Sequence, residues 1–118
     1  MTVGEPTMAE AQICACETGT LRYDHFEETD LGMDKHYGEV SLKRCRHCQR
    51  LWLRYYYVQE AFTGSGRWFK GLIPPERENS ITAADALEVL GKLDGYLCGG
   101  SWYDGKIVKG QGPPDLFP

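Results

Sequence analysis

Residues 51–61 read LWLRYYYVQEA and form the clearest β-strand pattern in the chain. Tryptophan, tyrosine, leucine and valine are favoured in strands, and alternate residues of a strand face opposite sides of the sheet. One face of this strand is apolar and is the expected core side; it consists of Leu51, Leu53, Tyr55 and Tyr57. The other face carries Trp52, Arg54, Tyr56, Val58 and Glu60.

Shorter strand patterns on either side of this segment complete a sheet made of hairpins. Val40 and Leu42 alternate with polar residues, as in a half-buried strand. Pro74 and Pro75 end the last of these strands, because neither can donate a hydrogen bond to a neighbouring strand. The predicted strands cover residues 21–28, 39–43 and 67–73, with turns over 30–38 and 63–66.

One helix is predicted beyond these strands. Thr82 begins it, and Asp85 is an acidic partner in its first turn. Gly95 lies where a left-handed cap would end it. The apolar face of the helix consists of Ala83, Ala86, Leu87, Leu90 and Leu93.

A last hairpin is predicted near the end of the sequence. Asp104 and Gly105 tolerate the left-handed backbone that a two-residue hairpin turn requires. The paired strands would then cover residues 101–103 and 106–108.

Length and composition fit one soluble globular domain. The chain has 118 residues, of which 42% are hydrophobic and 25% charged, and a chain of this size buries enough surface to form a core. No apolar run reaches the ~18 residues of a membrane span, and residues 1–12 lack the apolar block of a signal peptide. We therefore expect a cytoplasmic protein that has no membrane partner.

Cysteines carry the most specific chemical pattern in the chain. Two close pairs, Cys14-x-Cys16 and Cys45-x-x-Cys48, are separated by 28 residues, and Cys98 is expected to be a buried thiol. Such pairs supply the four thiolates of a tetrahedral Zn²⁺ site, which is structural because no coordination position stays open. Three histidines are alternative ligands for one of the four positions: His25, His36 and His47.

The residues that follow the second cysteine pair support this zinc site. Residues 45–52, CRHCQRLW, resemble the second half of a zinc ribbon, in which a metal-binding turn leads into a strand. The spacing of all four cysteines is also similar to that of the zinc switch of the redox-regulated heat-shock chaperone. That resemblance implies zinc-bound, reduced thiolates whose oxidation releases the metal, so a thiol redox switch is an alternative function.

A catalytic zinc site is a further alternative. Residues 25–27 (HFE), followed by residues 45–48 (CRHC), resemble a zinc deaminase signature. Arg44 stands where that signature places a proline, and Cys14 and Cys16 would have no role in it. The sequence therefore favours the structural site over the catalytic one.

Basic charge is concentrated in the centre of the chain. The net charge is −4, yet residues 43–70 hold seven bases, one acid and half of the aromatic residues. Aromatic rings beside arginines on a sheet can stack nucleobases while the cations hold phosphates. The nucleic-acid-binding alternative assigns this role to Arg46, Arg50, Trp52, Arg54 and Tyr56. The other interpretation is that the rings fill the core and the bases pair with the protein's own acids.

Together these patterns predict a single α+β domain over residues 1–118. Mainly antiparallel β-structure with a zinc-ribbon-like core and zinc-binding hairpins is expected over 13–73. One helix packed on the sheet and a C-terminal hairpin are expected over 76–118. We expect a non-enzymatic binding module that recognises a protein partner or self-associates, with nucleic-acid binding and redox switching as alternatives.

Overall fold

The computed structural model describes residues 25–58 and 64–114. The strands are β1 (Phe26–Met33), β2 (Glu39–Cys45), β3 (Leu51–Tyr57), β4 (Arg67–Ile73), β5 (Tyr96–Gly99) and β6 (Val108–Gly110), and the α-helix, α1, covers Ala86–Lys92. They form one antiparallel sheet in the order β1-β2-β3-β4-β5-β6, which confirms the α+β prediction. Single 3₁₀ turns cover Pro75–Arg77, Ala83–Asp85 and Ser101–Tyr103. No helix within the described residues is long and apolar enough to cross a membrane.

One face of the sheet, called the helix face here, packs against α1. Leu53 and Tyr55 of β3 have no exposed surface. Leu53 lies between Leu42 of β2 and Gly71 of β4, and Tyr55 lies between Val40 and Phe69 of the same two strands. The predicted core side of β3 is thereby confirmed. The buried residues of this face and of the elements that cover it are Val40, Leu42, Leu51, Leu53, Tyr55, Tyr57, Phe69, Ile73, Ile81, Ala86, Val89, Leu90, Tyr96 and Cys98.

The opposite face, called the cation face here, is also buried at its centre. Phe26, Trp52 and Leu97 form its apolar cluster with Cys45. Three cations of this face are buried or half-buried: Lys43 and Lys70, which are 8% and 7% exposed, and the half-buried Arg54. The sequence pattern assigned the core to one face of β3, whereas the structure buries Trp52 on the other face as well.

The first hairpin is present, but β1 lies farther along the chain than predicted. Residues 30–33, predicted to be part of a turn, belong to the strand. A β-bulge between Asp30 and Gly32 shifts the pairing register there, and the strand continues to Met33. The turn is confined to residues 34–38, where Asp34 Oδ1 accepts a hydrogen bond from the Gly38 backbone N–H at 3.0 Å. Residues 21–24 of the predicted strand lie outside the described residues.

The central hairpin follows the sequence prediction closely. β4 covers the predicted residues 67–73, and β3 begins at Leu51 as expected. β3 ends at Tyr57, before the predicted end at residue 61, and residues 59–63 lie outside the described part of the chain. β2 extends from Glu39 to Cys45, two residues beyond the prediction, so its last residue is the first cysteine of the turn.

The helix begins as predicted and ends early. The Asp85 carboxylate accepts a hydrogen bond from the Thr82 hydroxyl at 2.9 Å, and a 3₁₀ turn over residues 83–85 leads into α1. The helix ends at Lys92, and Leu93 is extended (φ −73°, ψ 158°), so the predicted left-handed cap at Gly95 is wrong. Leu93 leaves the helix because it packs against the helix-face core.

The C-terminal hairpin is also present, with strands displaced from the predicted positions. Asp104 and Gly105 have the expected left-handed φ values of 57° and 75°. Residues 101–103, however, form a 3₁₀ turn instead of a strand, because the Trp102 backbone N–H donates to the Gly66 carbonyl at 2.8 Å. The Arg67 guanidinium lies 3.9 Å from the centroid of the Trp102 ring. These contacts hold the segment against β4, so the paired strands of the hairpin are β5 and β6.

Candidate functional site

The predicted cysteine turn connects β2 to β3. The Cys45 backbone N–H donates to the Arg50 carbonyl, and the Gln49 N–H donates to the Cys45 carbonyl, both at 2.9 Å. Gln49 adopts a left-handed conformation with φ 65°, which reverses the chain direction before β3. The turn containing Cys45 and Cys48 is therefore fixed by its own backbone.

Both cysteines of this turn contact the apolar cluster of the cation face. Cys45 has no exposed surface, and Cys48 is half-buried. They pack with Phe26, Trp52 and Leu97. Sulfur is polarisable and suits such apolar surroundings. The two side chains thus lie at the boundary between a packed cluster and the solvent-facing turn.

Two of the three candidate histidines lie beside the turn. The ring centroids of His25 and His47 are 5.4 Å apart, and the His25 carbonyl accepts a hydrogen bond from the Arg46 N–H at 2.9 Å. His25 Nδ1 is buried and has no hydrogen-bond partner. His36 lies in the β1–β2 turn, at the other end of β2. The structure therefore brings His25 and His47, but not His36, to the cysteine turn.

The complete four-cysteine site extends beyond the described residues. Cys14 and Cys16 lie outside them. Among residues 25–58 and 64–114, no group of three or more His, Cys, Asp or Glu side chains could hold a metal ion. Cys45 and Cys48 therefore provide half of the predicted thiolate set, and the zinc site stays a prediction.

The cation face places its charges among aromatic rings. Lys43 Nζ lies 5.8 Å from the Phe26 ring centroid and 3.6 Å from Glu28 Oε1. The Arg54 guanidinium lies 5.4 Å from the Tyr56 ring centroid. Burial lowers the pKa of Arg54, and the carboxylates of Glu28 and Glu39 act in the opposite direction. These carboxylates and rings compensate part of the desolvation of the cations.

The residues predicted to bind nucleic acid lie in two places. Trp52, Arg54 and Tyr56 alternate along β3 and share the cation face, where Trp52 is 3% exposed and the other two are half-buried. Arg46 and Arg50 lie in the cysteine turn, and Arg46 is exposed. An ion pair joins Arg46 Nη1 to Glu27 Oε2 at 3.4 Å. In this conformation the Trp52 ring has almost no exposed surface for stacking on a base.

Sequence patterns missed the burial of the lysines. Lys43 lies opposite Trp52 in the β2–β3 register, and Arg54 lies opposite Lys70 in the β3–β4 register. Lys70 Nζ lies 4.6 Å from the Phe26 ring centroid and 5.0 Å from that of Trp52. Only the strand register brings these residues together, since a lysine in an alternating pattern indicates an exposed position.

A cavity of about 580 Å³ adjoins the same cluster and was also missed. Trp52 and Leu97 contribute to its wall on the sheet, and Leu72 of β4 extends that wall. Asp94 and Lys109 also line it. The residues come from four separate segments, so no local motif could indicate the cavity.

Comparisons of the chain with protein-family models, curated proteins and solved structures find no match. The class of the protein is therefore defined by its own architecture. It is an α+β protein whose described residues form a six-stranded antiparallel sheet, with inner strands that bury side chains on both faces, exposed edge strands and a cysteine turn at one end.

Proposed function

We propose that the chain is a non-enzymatic binding module in which a structural Zn²⁺ site holds the β2–β3 turn. Cys14, Cys16, Cys45 and Cys48 would supply four thiolates, which complete a tetrahedral coordination sphere and leave no position for a reacting water. The metal would link the segment before β1 to the turn between β2 and β3. Its role would be to stabilise the fold.

The geometry of the cysteine turn is the observation that supports this proposal. Two backbone hydrogen bonds of 2.9 Å close the turn, and both cysteines pack on the same apolar cluster. A turn that holds two sulfur-bearing residues three positions apart at the end of a strand prepares half of a tetrahedral site before the metal arrives. Pre-organised ligands reduce the entropy that metal binding must overcome.

The first experiment measures metal and thiols in protein purified under reducing conditions. We expect about one zinc ion per chain and about four thiols that become reactive when a chelator removes it. Cys45→Ser should lose the metal and lower the free energy of unfolding. Cys98→Ser is the matched control, because Cys98 lies on the helix face, and it should keep the metal.

Two results would contradict the zinc proposal. One is protein without bound zinc, and the other is full zinc content in both Cys45→Ser and Cys48→Ser. The redox-switch alternative predicts in addition that mild peroxide releases the zinc and that a reductant restores zinc binding. Zinc that stays bound in peroxide therefore favours a purely structural site.

The binding role is supported by apolar side chains at the other end of β2. Tyr37 is 81% exposed and Met33 is 58% exposed, and both lie where β1 turns into β2. Tyrosine and methionine are enriched at protein interfaces. If this turn mediates self-association, the sedimentation coefficient of the wild type should rise with protein concentration. The Tyr37→Ser variant should sediment as a monomer throughout, and identical monomeric behaviour of both proteins would contradict the role.

A further inference from the structure

The centre of the cation face is buried even though it carries charges. Trp52 is 3% exposed, and Lys70, whose Nζ lies 5.0 Å from the centroid of the Trp52 ring, is 7% exposed. On a sheet face that is open to water, a lysine keeps its ammonium hydrated and its side chain largely exposed. The burial of these two residues therefore requires a second layer of protein over this face.

Within residues 25–58 and 64–114, the second layer lies on the helix face. It consists of α1 and the 3₁₀ turn that precedes it, whose apolar side chains pack with the helix-face core. The described members of the cation-face cluster belong to the strands and, for Cys48, to the cysteine turn. The layer over the cation face therefore belongs to the remaining parts of the chain, which are residues 1–24, 59–63 and 115–118.

Residues 59–63 are too few to form this layer. They connect the end of β3 to the start of β4, and a loop of this length reaches at most about 10 Å from its two anchor points. Trp52 lies five residues before Tyr57, the last residue of β3, which corresponds to about 17 Å along the strand. A loop of this length therefore does not reach the tryptophan.

Residues 115–118 follow a segment that lies on the helix face. The Gly112 carbonyl accepts a hydrogen bond from the Tyr96 hydroxyl at 2.6 Å, and Tyr96 belongs to the helix-face core. Pro113 lies beside α1, since a Cβ atom at Gly91 would be 3.4 Å from the Pro113 Cα atom. Four residues span at most about 14 Å, less than the roughly 19 Å from β1 to β5 over which the cation-face cluster extends.

Residues 1–24 have the length and the attachment point that the layer needs. When extended, 24 residues reach well beyond the roughly 24 Å width of six strands. They join the described chain at His25, next to Phe26, whose side chain is 5% exposed and belongs to the cation-face cluster. The chain therefore enters the sheet beside the cluster that has to be covered.

The charge of residues 1–24 also complements this face. They hold one base and four acids, which are Glu5, Glu10, Glu17 and Asp24. A buried ammonium is unfavourable unless a carboxylate pairs with it, and the aromatic rings near Lys70 compensate only part of that cost. Glu28 pairs with Lys43 at 3.6 Å. An acid of the first 24 residues is a suitable partner for the deeper lysine.

From these features we propose that residues 1–24 lie over the cation face as an acidic second layer of the sheet. Acidic side chains of this segment pair with Lys70 and Arg54, and its apolar side chains cover Trp52 and Leu97. The cation face is thus an internal interface, whose charges are neutralised by the chain itself and withheld from external polyanions. The inference goes beyond the zinc proposal and does not require the metal.

The first experiment looks for direct contacts in the full chain by nuclear Overhauser effects. In isotopically labelled protein, we expect cross-peaks from the Trp52 indole and Leu97 methyl protons to side chains within residues 1–24. The Trp102 indole is the internal control, because it packs on Arg67 of the helix face, and it should show no cross-peak to this segment. A mixture of labelled and unlabelled chains reports contacts between two copies, and it should lack these cross-peaks.

A charge variant tests whether the acids hold the segment in place. The test variant combines Glu5→Gln, Glu10→Gln and Glu17→Gln. The Trp52 indole nitrogen is buried, so the exchange of its proton with solvent reports the opening of the layer. We expect this exchange to become at least about threefold faster, because three weak charge pairs are lost. The matched control removes three exposed acids that lie outside the strands, through Glu76→Gln, Glu88→Gln and Asp104→Asn, and it should leave the exchange unchanged.

Two kinds of result would overturn this proposal. One is a set of Trp52 cross-peaks that leads to residues 59–63 or 115–118, or to no residue before His25. The other is an equal exchange rate in the two triple variants. Both variants retain all five cysteines, so zinc content measured on the same samples separates a failure of this proposal from a failure of the zinc site. If the test variant does not fold, the cross-peaks of the wild type decide the question.

Discussion

The two faces of the sheet bury side chains of different chemistry. On the helix face, the buried side chains that pack with α1 are apolar, and the one buried charge among the described strand residues of this face is Arg67, which lies opposite Tyr57 near one end of the sheet. On the cation face, Lys43 and Lys70 are buried to a similar degree as the apolar residues around them. Each atom removed from an apolar core lowers the free energy of unfolding. A buried cation also carries a desolvation penalty, which an apolar substitute avoids. Burial alone therefore does not determine how much a substitution lowers the free energy of unfolding.

The largest effect on stability is expected from a substitution that removes a buried apolar side chain from the helix face. Leu53 has no exposed surface and lies at the centre of the sheet, so Leu53→Ala should lower the free energy of unfolding by about 2–5 kcal/mol. Leu72→Ala on the cation face is the matched control, because Leu72 is 37% exposed, and it should cost less than about 1 kcal/mol. Urea denaturation measures both, and equal losses would contradict the assignment of the core.

An intermediate effect is expected from a polar contact of the helix face. The Tyr55 hydroxyl donates to Asp34 Oδ2 at 2.8 Å. Burial and this hydrogen bond raise the pKa of Tyr55 above its ordinary value. The folded protein therefore keeps a proton that the unfolded chain releases above about pH 10. Its free energy of unfolding should fall above that pH by about 1.4 kcal/mol per pH unit.

Tyr55→Phe isolates this contribution. The variant should lose about 1.5–3 kcal/mol at neutral pH, because a hydrogen bond to a carboxylate is removed. Above about pH 10, its free energy of unfolding should also lack the part of the decrease that is due to the Tyr55 hydroxyl. Burial also raises the pKa of Cys98, but that thiol is present in both proteins, so the difference between their curves reports Tyr55 alone. Parallel curves from neutral to alkaline pH would contradict the prediction.

The smallest effect is expected from an apolar substitute on the cation face. Lys43→Met retains the length of the side chain and its contact with Phe26, and it removes a buried charge. The Glu28 side chain is 51% exposed, so its carboxylate stays hydrated without the lysine. We expect the free energy of unfolding to rise by up to about 1 kcal/mol. Lys43→Ala is the control for the loss of side-chain packing. If Lys43→Met itself lowers the free energy of unfolding by more than about 1 kcal/mol, the prediction is contradicted and this face requires the cation.

The sequence predicted the parts of the sheet that depend on local alternation. β3 and β4 were predictable because their residues have high strand propensity and Pro74 marks the end of β4. The early end of α1 was not predictable from the sequence, because it depends on the packing of Leu93 against the sheet near Gly71. The strands of the last hairpin were displaced for a similar reason, since the contact between Arg67 and Trp102 joins residues that are distant in the chain.

For the candidate sites, sequence spacing was informative only where the residues are neighbours in the chain. The turn containing Cys45 and Cys48 was predictable from its spacing. The approach of His25 to His47 depends on the pairing of Phe26 with Cys45, which no motif encodes. The cavity and the buried lysines depend on the register of four strands, which alternation alone does not specify.

The strand order also has a consequence for the kinetics of folding. Each strand of the described sheet pairs with its neighbours in the chain, so β1, β2 and β3 can assemble through short hairpin connections. The pairing of β4 with β5 is different, because residues 74–95, including α1, lie between them. Loop-closure entropy increases with the length of the loop, and folding slows as contacts become more distant in sequence. We therefore expect the hairpins of β1–β4 to form early, and the docking of α1 together with β5 to be the slow step that completes the sheet.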